Sequence, residues 1–386
     1  ASPPSTTTDD AGRPVRHYLD HASTSPLRPE ARAAMYAGLD EPLADPGRLH
    51  ADAMEARDLI ERSRDQVAAL LGTRNRSVVF TSGATESITA ATWGAAQRCD
   101  RAIATMVEHS AVRAGSTRWF GPDAVTMLPV DGAGRVDPAA VAAVLDERPT
   151  LVHVQWANHE VGTIQPVAEV VEAARSAGAL VHVDAAQAVG KLPVSFDALG
   201  ADLLSASAHK FGGPLGVGVL LVRRGLRLRP LLEGGAQERG RRAGLENTPA
   251  IVGLGAVAAT LDPQRIDEEH RRTERLALRL RSGLADLRGV VVHGNPDTAL
   301  PHITSVGIEG IEPQAVLLGL DRAGIAAHSG SACAGEELEP SPVLQAMGVE
   351  ADRSLRLSLG WSSTEGDVDA LLAVLPDVIE RLRALR

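Results

Sequence analysis

Lysine, cysteine and aromatic side chains are all scarce in this chain of 386 residues. Of its 39 basic residues only Lys191 and Lys210 are lysines, Cys99 and Cys333 are the only cysteines, and aromatics make up 3%. Two cysteines cannot build a disulfide scaffold or a four-thiolate metal site, and such sparing use suits a reducing compartment. The 49 acidic residues leave a net charge of −10. That balance is a poor basis for holding nucleic acid directly, because neutralising phosphates needs a positive face. No apolar run approaches the ~20 residues that a membrane helix needs, and no signal-peptide pattern opens the chain. Ala1 to Pro14 is rich in Ser, Thr, Pro and Asp, and residues 1–15 are expected to form a flexible segment. The expectation is a cytoplasmic protein without membrane contact, long enough for two domains.

The shortage of lysine gives the two survivors their interest. A genome rich in G and C favours arginine codons, which accounts for the bias but not for where the exceptions fall. Arginine can replace lysine on a solvated face, but not where a primary amine must lose its proton and attack carbon.

What is present is a regular alternation. Near-continuous apolar runs at 77–81, 101–106, 124–128, 151–155, 180–184, 202–205 and 216–222 read as strands covered on both faces. Helical spacing fills 85–96, 138–145 and 167–178 between them. The pattern predicts an α/β fold: a mainly parallel seven-stranded sheet with helices on both faces. From about Arg265 the character changes to a long charged helix, shorter strands and a closing helix near 365–383. A large domain over 16–265 and a smaller α+β domain over 266–386 are expected.

Ligands of parallel α/β sheets gather at the carboxyl ends of the strands. After the first run comes Thr81-Ser82-Gly83-Ala84-Thr85-Glu86-Ser87, which is either an anion cradle at a helix start or an ordinary N-cap. Glu108-His109-Ser110 and Asn158-His159-Glu160 follow later runs, and a lone histidine in either place can be structural. The fifth run ends in Asp184-Ala185-Ala186-Gln187, where the acid could pair with a protonated ring nitrogen or cap the next helix. The sixth leads into Ser207-Ala208-His209-Lys210 and a glycine turn. A lysine set against apolar surface has a lowered pKa and is suited to Schiff-base chemistry. A phosphate cradle, an acid for a pyridinium nitrogen and an amine for an aldehyde are the requirements of pyridoxal phosphate.

With SGATES, Glu108-His109, SASAHK–GGPLGVG, SGSAC and LRLSLG in this order, the chain resembles the cysteine desulfurases of the class V aminotransferase family. The resemblance covers nearly everything after the first 15 residues or so. It implies the fold-type I architecture, pyridoxal 5'-phosphate as cofactor, L-cysteine as substrate, a sulfur-acceptor protein as partner, and a homodimer. By position, Lys210 would bond the cofactor, Asp184 would pair with its ring nitrogen, and Gln187 would hydrogen-bond its phenolic oxygen. His109 would stack on the ring and serve in acid–base work, while Ala84, Thr85, Ser207 and His209 would hold the phosphate. Arg356 would bind the substrate carboxylate, with His159 beside both cofactor and substrate. Cys333, in the small-residue run Ser329-Gly330-Ser331-Ala332-Cys333, would take the sulfur as a persulfide. Lys210 or His109 would remove the α-proton. Cys99 and Lys191 have only structural readings.

Three positions depart from the family pattern. His159 stands where asparagine is usual, Leu245 where a threonine reaches the phosphate of the other subunit, and Asp45 where asparagine is commoner. A specialised desulfurase is the reading these suggest, with DNA phosphorothioation as one candidate pathway. The alternatives are a selenocysteine lyase, another C–S lyase, or a weakly active scaffold for sulfur-transfer partners. The arginine-rich stretch 223–242 is assigned to the dimer interface and phosphate surroundings rather than to nucleic acid, and no resident metal is expected.

Overall fold

The computed structural model describes residues 16–40, 44–329, 340–351 and 353–385. The N-terminal segment 1–15 and the run carrying Cys333 lie outside the described residues.

Among the described residues, seven strands form the main sheet. Their order is Val78–Thr81, Gly218–Val222, Leu203–Ser207, Leu180–Asp184, Thr150–Gln155, Arg101–Thr105 and Val125–Leu128. Only Gly218–Val222 runs against its neighbours, so the sheet is mainly parallel. Alternate side chains of a strand point to opposite faces, and both faces here are apolar. Val78, Ile103, Val152, Val183, Leu204 and Leu221 pack on one side with Ile60, Val170 and Leu254. Val79, Leu203 and Leu220 face the other side with Ala91, and Ala104 joins Ile88 and Val112 there. Helices therefore cover both faces, which explains the unbroken apolar strands.

A second core gathers Leu276, Leu280, Val306, Leu320, Leu355, Leu371 and Ile379. It lies over a three-stranded antiparallel sheet in the order Ser354–Ser358, Ile303–Ile308, Val290–His293. The helix Pro263–Ala285 spans the two, with Ile266 in the first core and Leu276 in the second. The start of the chain also bridges them. His17–Tyr18 pairs with Ile325–Ala326, and the Ala22 amide donates to the Ser358 hydroxyl. A few residues later, the Ser25 amide donates to the His209 carbonyl beside the main sheet.

Candidate active site

The carboxyl ends of the main strands deliver the predicted residues to one place. A cavity of about 400 Å³ is lined by Ala84, Thr85, His109, His159, Asp184, Gln187, Ser207, His209 and Lys210, together with Ser82, Gly83, Glu86 and Gln155. Each arrives through local structure. Asp184 and Ser207 are the last residues of their strands, and the tight turn Ala208–Phe211 then lifts His209 and Lys210 above the sheet edge. Gly212 closes that turn at φ +89°, where a Cβ would also strike the Arg28 side chain.

The helix Ala84–Ala96 begins at Gly83 with no side chain capping its first amides. Those N–H groups, at the positive end of the helix, are left for an anion. The loop can sit this low because Gly218 faces it, where a Cβ would lie 2.5 Å from the Gly83 Cα. Glu86 also lines the cavity. Its carboxylate accepts from the Ser82 amide and pairs with Arg242 at 2.9 Å, which holds it ionised and occupied.

Lys210 Nζ donates to the carbonyls of Ala22 and Ser23 at 2.7 and 2.8 Å. Burial, and next the Arg356 charge, push its amine down to about 8. At pH 7 roughly one such amine in ten is neutral, against fewer than one in a thousand for an ordinary lysine. Asp184 is buried. Its Oδ1 accepts from the Ala186 amide at 3.0 Å, leaving Oδ2 without a partner among the described residues. Burial raises its carboxyl pKa. Gln187 Nε2 donates to the Ala22 carbonyl at 2.9 Å and keeps a second hydrogen.

His109 caps the helix Ser110–Phe120, its Nδ1 accepting from the Ala111 amide at 3.1 Å. Burial first, then the nearby His159, push its pKa down to about 3. The ring is therefore neutral, and because Nδ1 is an acceptor the proton sits on Nε2. His159 meets it edge to face with centroids 5.1 Å apart. His209 Nδ1 lies 3.1 Å from the Thr24 hydroxyl. Arg356 is 2% exposed and its fork is already engaged, with Nη2 on Asp20 at 2.9 Å and Nη1 on the His159 carbonyl at 3.0 Å.

Leu245 is 61% exposed, and Asp45 lines a different cavity with Arg57, Arg64 and Glu238. Cys99 is buried, which pushes its thiol up to about 11 and suits the structural reading. Sequence reasoning missed Glu108, Gln155, Thr24 and the carbonyls of Ala22 and Ser23. Only the Glu-His pairing hinted at the first, and a backbone oxygen leaves no trace in side-chain identity.

The aminotransferase class-V family model matches residues 17–371. The chain belongs to the aminotransferase class-V family. A cysteine desulfurase of Gluconacetobacter diazotrophicus is 42% identical over 379 residues, covering 95% of this chain and 94% of that protein. A solved NifS-like protein superposes with a TM-score of 0.88 at 34% identity, over 95% of this chain and all of the other. A structure described as SspA in complex with cysteine gives a TM-score of 0.78 at 29% identity, over 91% of this chain and all of the other. The fold-type I architecture expected from the motifs is thus the fold of the family. Among the described residues no helix is long and apolar enough to cross a membrane.

Pyridoxal phosphate fits the residues present. The uncapped helix start, the Ser207 hydroxyl and His209 suit its phosphate, the free Oδ2 of Asp184 its ring nitrogen, and the Lys210 amine its aldehyde.

Proposed function

We propose that the chain is a pyridoxal-phosphate-dependent cysteine desulfurase, converting L-cysteine to L-alanine and leaving a persulfide on Cys333 for an acceptor protein. What carries the reading is the convergence of Lys210, Asp184 and the uncapped helix start on one cavity in a member of this family. Curated relatives named cysteine desulfurase support it.

When bound, pyridoxal phosphate supplies an electrophilic aldehyde and a ring that takes up the electron pair left on the substrate α-carbon. The Ala84 and Thr85 amides, Ser207 and His209 would hold the phosphate, and Asp184 Oδ2 would accept a hydrogen bond from the ring nitrogen and keep it protonated. Gln187 Nε2 would give its second hydrogen to the phenolic oxygen. Lys210, with its lowered pKa, is the base that removes the α-proton. His109 would lie against the cofactor ring and would serve as a donor through Nε2, because its Nδ1 is tied to Ala111. Beside His159, Arg356 would take the substrate carboxylate by exchanging for it the Asp20 or His159-carbonyl partner that its fork holds now. The Cys333 sulfur bonds the substrate sulfur as the C–S bond breaks. That bond's electron pair stays on carbon, which takes up protons and leaves as alanine, so no oxidant is needed.

The active unit in this reading is a homodimer that covers Leu245, and the two cores are two domains meeting along Pro263–Ala285. The finer reading, a desulfurase dedicated to one pathway such as DNA phosphorothioation, rests on the departures at His159, Leu245 and Asp45. It is tested by identifying which protein takes labelled sulfur from the enzyme. For the activity itself, Cys333→Ser should keep the yellow cofactor yet yield neither alanine nor persulfide from cysteine. Turnover at the wild-type rate in that variant would refute the assignment.

A further inference from the structure

The chain's other lysine lies on the far side of Gln187. Lys191 Nζ donates to Gln187 Oε1 at 3.3 Å, and His302 Nε2 reaches the same oxygen at 3.4 Å. On the other side Gln187 Nε2 donates to the Ala22 carbonyl, which also accepts from Lys210 Nζ. The two lysines are therefore joined through one amide and one carbonyl.

This arrangement settles which way the amide points. The Ala22 carbonyl can only accept, so turning the amide over would set acceptor against acceptor there, whereas Lys191 donates to Oε1 whether its amine is charged or neutral. Gln187 must hide its oxygen and show the cofactor cavity a hydrogen. Whatever faces it there must be an acceptor.

Among the described residues Lys191 has no carboxylate of its own. A cavity of about 30 Å³ behind Lys210 is lined by Lys191, Lys210, Arg28, Glu269, His270 and His302 among others. Its single acid, Glu269, is gripped by both arms of Arg28 at 2.7 and 2.6 Å. The charges of Lys210 and Arg28 face the Lys191 amine, and burial with those charges pushes it down to about 7. Gln187 Oε1 is the only acceptor with which Lys191 forms a side-chain hydrogen bond among the described residues. A donor pulling on the amide oxygen withdraws electrons from the amide and strengthens its N–H groups as donors.

We propose that Lys191 is a positioning residue that orients and polarises Gln187, and so sets the strength of the hydrogen bond Gln187 gives to the phenolic oxygen of the cofactor. The proposal rests on the cofactor reading above. Donors and positive charge favour the deprotonated, more negative form of the lysine-bound cofactor. Removing the Lys191 donor therefore raises the pH midpoint at which the visible absorption of the holoenzyme changes.

The experiment is a spectrophotometric pH titration of enzyme loaded with pyridoxal phosphate. Lys191→Met should raise the midpoint by roughly 0.5–1 pH unit, a change of about 3- to 10-fold in the ionisation constant, while Lys191→Arg, which keeps a donor, stays near wild type. An unmoved midpoint in Lys191→Met with a native circular-dichroism spectrum overturns the proposal, as does an equal shift in Lys191→Arg. Should Lys191→Met not fold, His302→Leu removes the second donor to the same oxygen and should shift the midpoint the same way; no shift there is equally fatal. Borohydride reduction of the loaded wild type separates the two levels. No pyridoxyl group on Lys210 rejects the cofactor reading, whereas its presence with an unmoved midpoint rejects the role of Lys191 alone.

Discussion

Replacing Glu108 by glutamine should make this protein more stable, and increasingly so as the pH rises. Glu108 lies immediately before His109 and has no solvent exposure. Its Oε1 accepts from the Gln155 amide and the Thr105 hydroxyl, both at 2.9 Å, while Oε2 has no partner among the described residues. Burial, reinforced by the nearby Asp184, pushes its pKa from an ordinary 4.5 up to about 8. The folded protein therefore keeps a proton that the unfolded chain releases. Below the unfolded value both states are protonated and nothing is lost. Between the two values stability falls by about 1.4 kcal/mol per pH unit, then levels off above the folded value. The loss is on the order of 3 kcal/mol at pH 7 and 5 kcal/mol above pH 8. Glutamine keeps the oxygen that accepts both hydrogen bonds and never ionises, so it should recover that amount. For a chain of this length the unfolding entropy is about 0.8 kcal/mol per degree, so the gain at pH 7 is roughly 4 °C in Tm. Thermal unfolding of wild type and Glu108→Gln, followed from pH 5 to pH 8.5, reads this directly. The curves should nearly meet at pH 5 and separate as the pH rises. A difference that does not change with pH would refute the reasoning, because it would mean that Glu108 ionises inside the fold.

Two further outcomes are expected. Asp184→Asn loses a charge-assisted hydrogen bond of about 1.5–3 kcal/mol, so pyridoxal phosphate should bind about 10- to 150-fold more weakly in equilibrium dialysis. Arg64 pairs with Glu238 at 2.7 Å where both are buried, and Glu238 also receives the Phe80 amide. Arg64→Met strands that carboxylate and should cost about 3–5 kcal/mol in urea unfolding, most of it recovered when Glu238→Leu is added.

The main sheet was legible because strands buried on both faces are written as unbroken apolar runs, such as 151–155 and 180–184. Apolar runs carry no direction, so the reversal of Gly218–Val222 was not visible in them. The helices Pro29–Asp40 and Ala51–Leu70 escaped for another reason. The second buries Ala53, Ala56, Ser63, Arg64 and Ala68 beside Ile60 and Val67, a face with too little apolar contrast to show a period. It packs closely on the helix Thr248–Thr260, where a Cβ on Gly255 would meet Ser63 and Gln66. In the site, Lys210, Asp184 and the glycine cradle could be read because the chemistry allows few substitutes for them. Lys191 could not, since its meaning depends on which way a distant amide is turned. The protonation of Glu108 depends on burial that no local pattern records.

The two carbonyls that receive the Lys210 amine belong to the start of the chain, and that segment is held by residues near its end. The Ala22 amide donates to a hydroxyl 336 positions away, and Leu19 is bonded to Ala326 and Ser358. On a ribosome the strands of the main sheet are complete once Val222 has emerged, yet the partners of residues 17–22 at Ile325–Ala326 and Ser358 arrive only after more than a hundred further residues are made. Contacts so distant in sequence form last. A chain released early would thus carry the sheet and its lysine with the segment that holds the amine fastened on the main-sheet side alone, so a finished cofactor site is a mark of a finished chain.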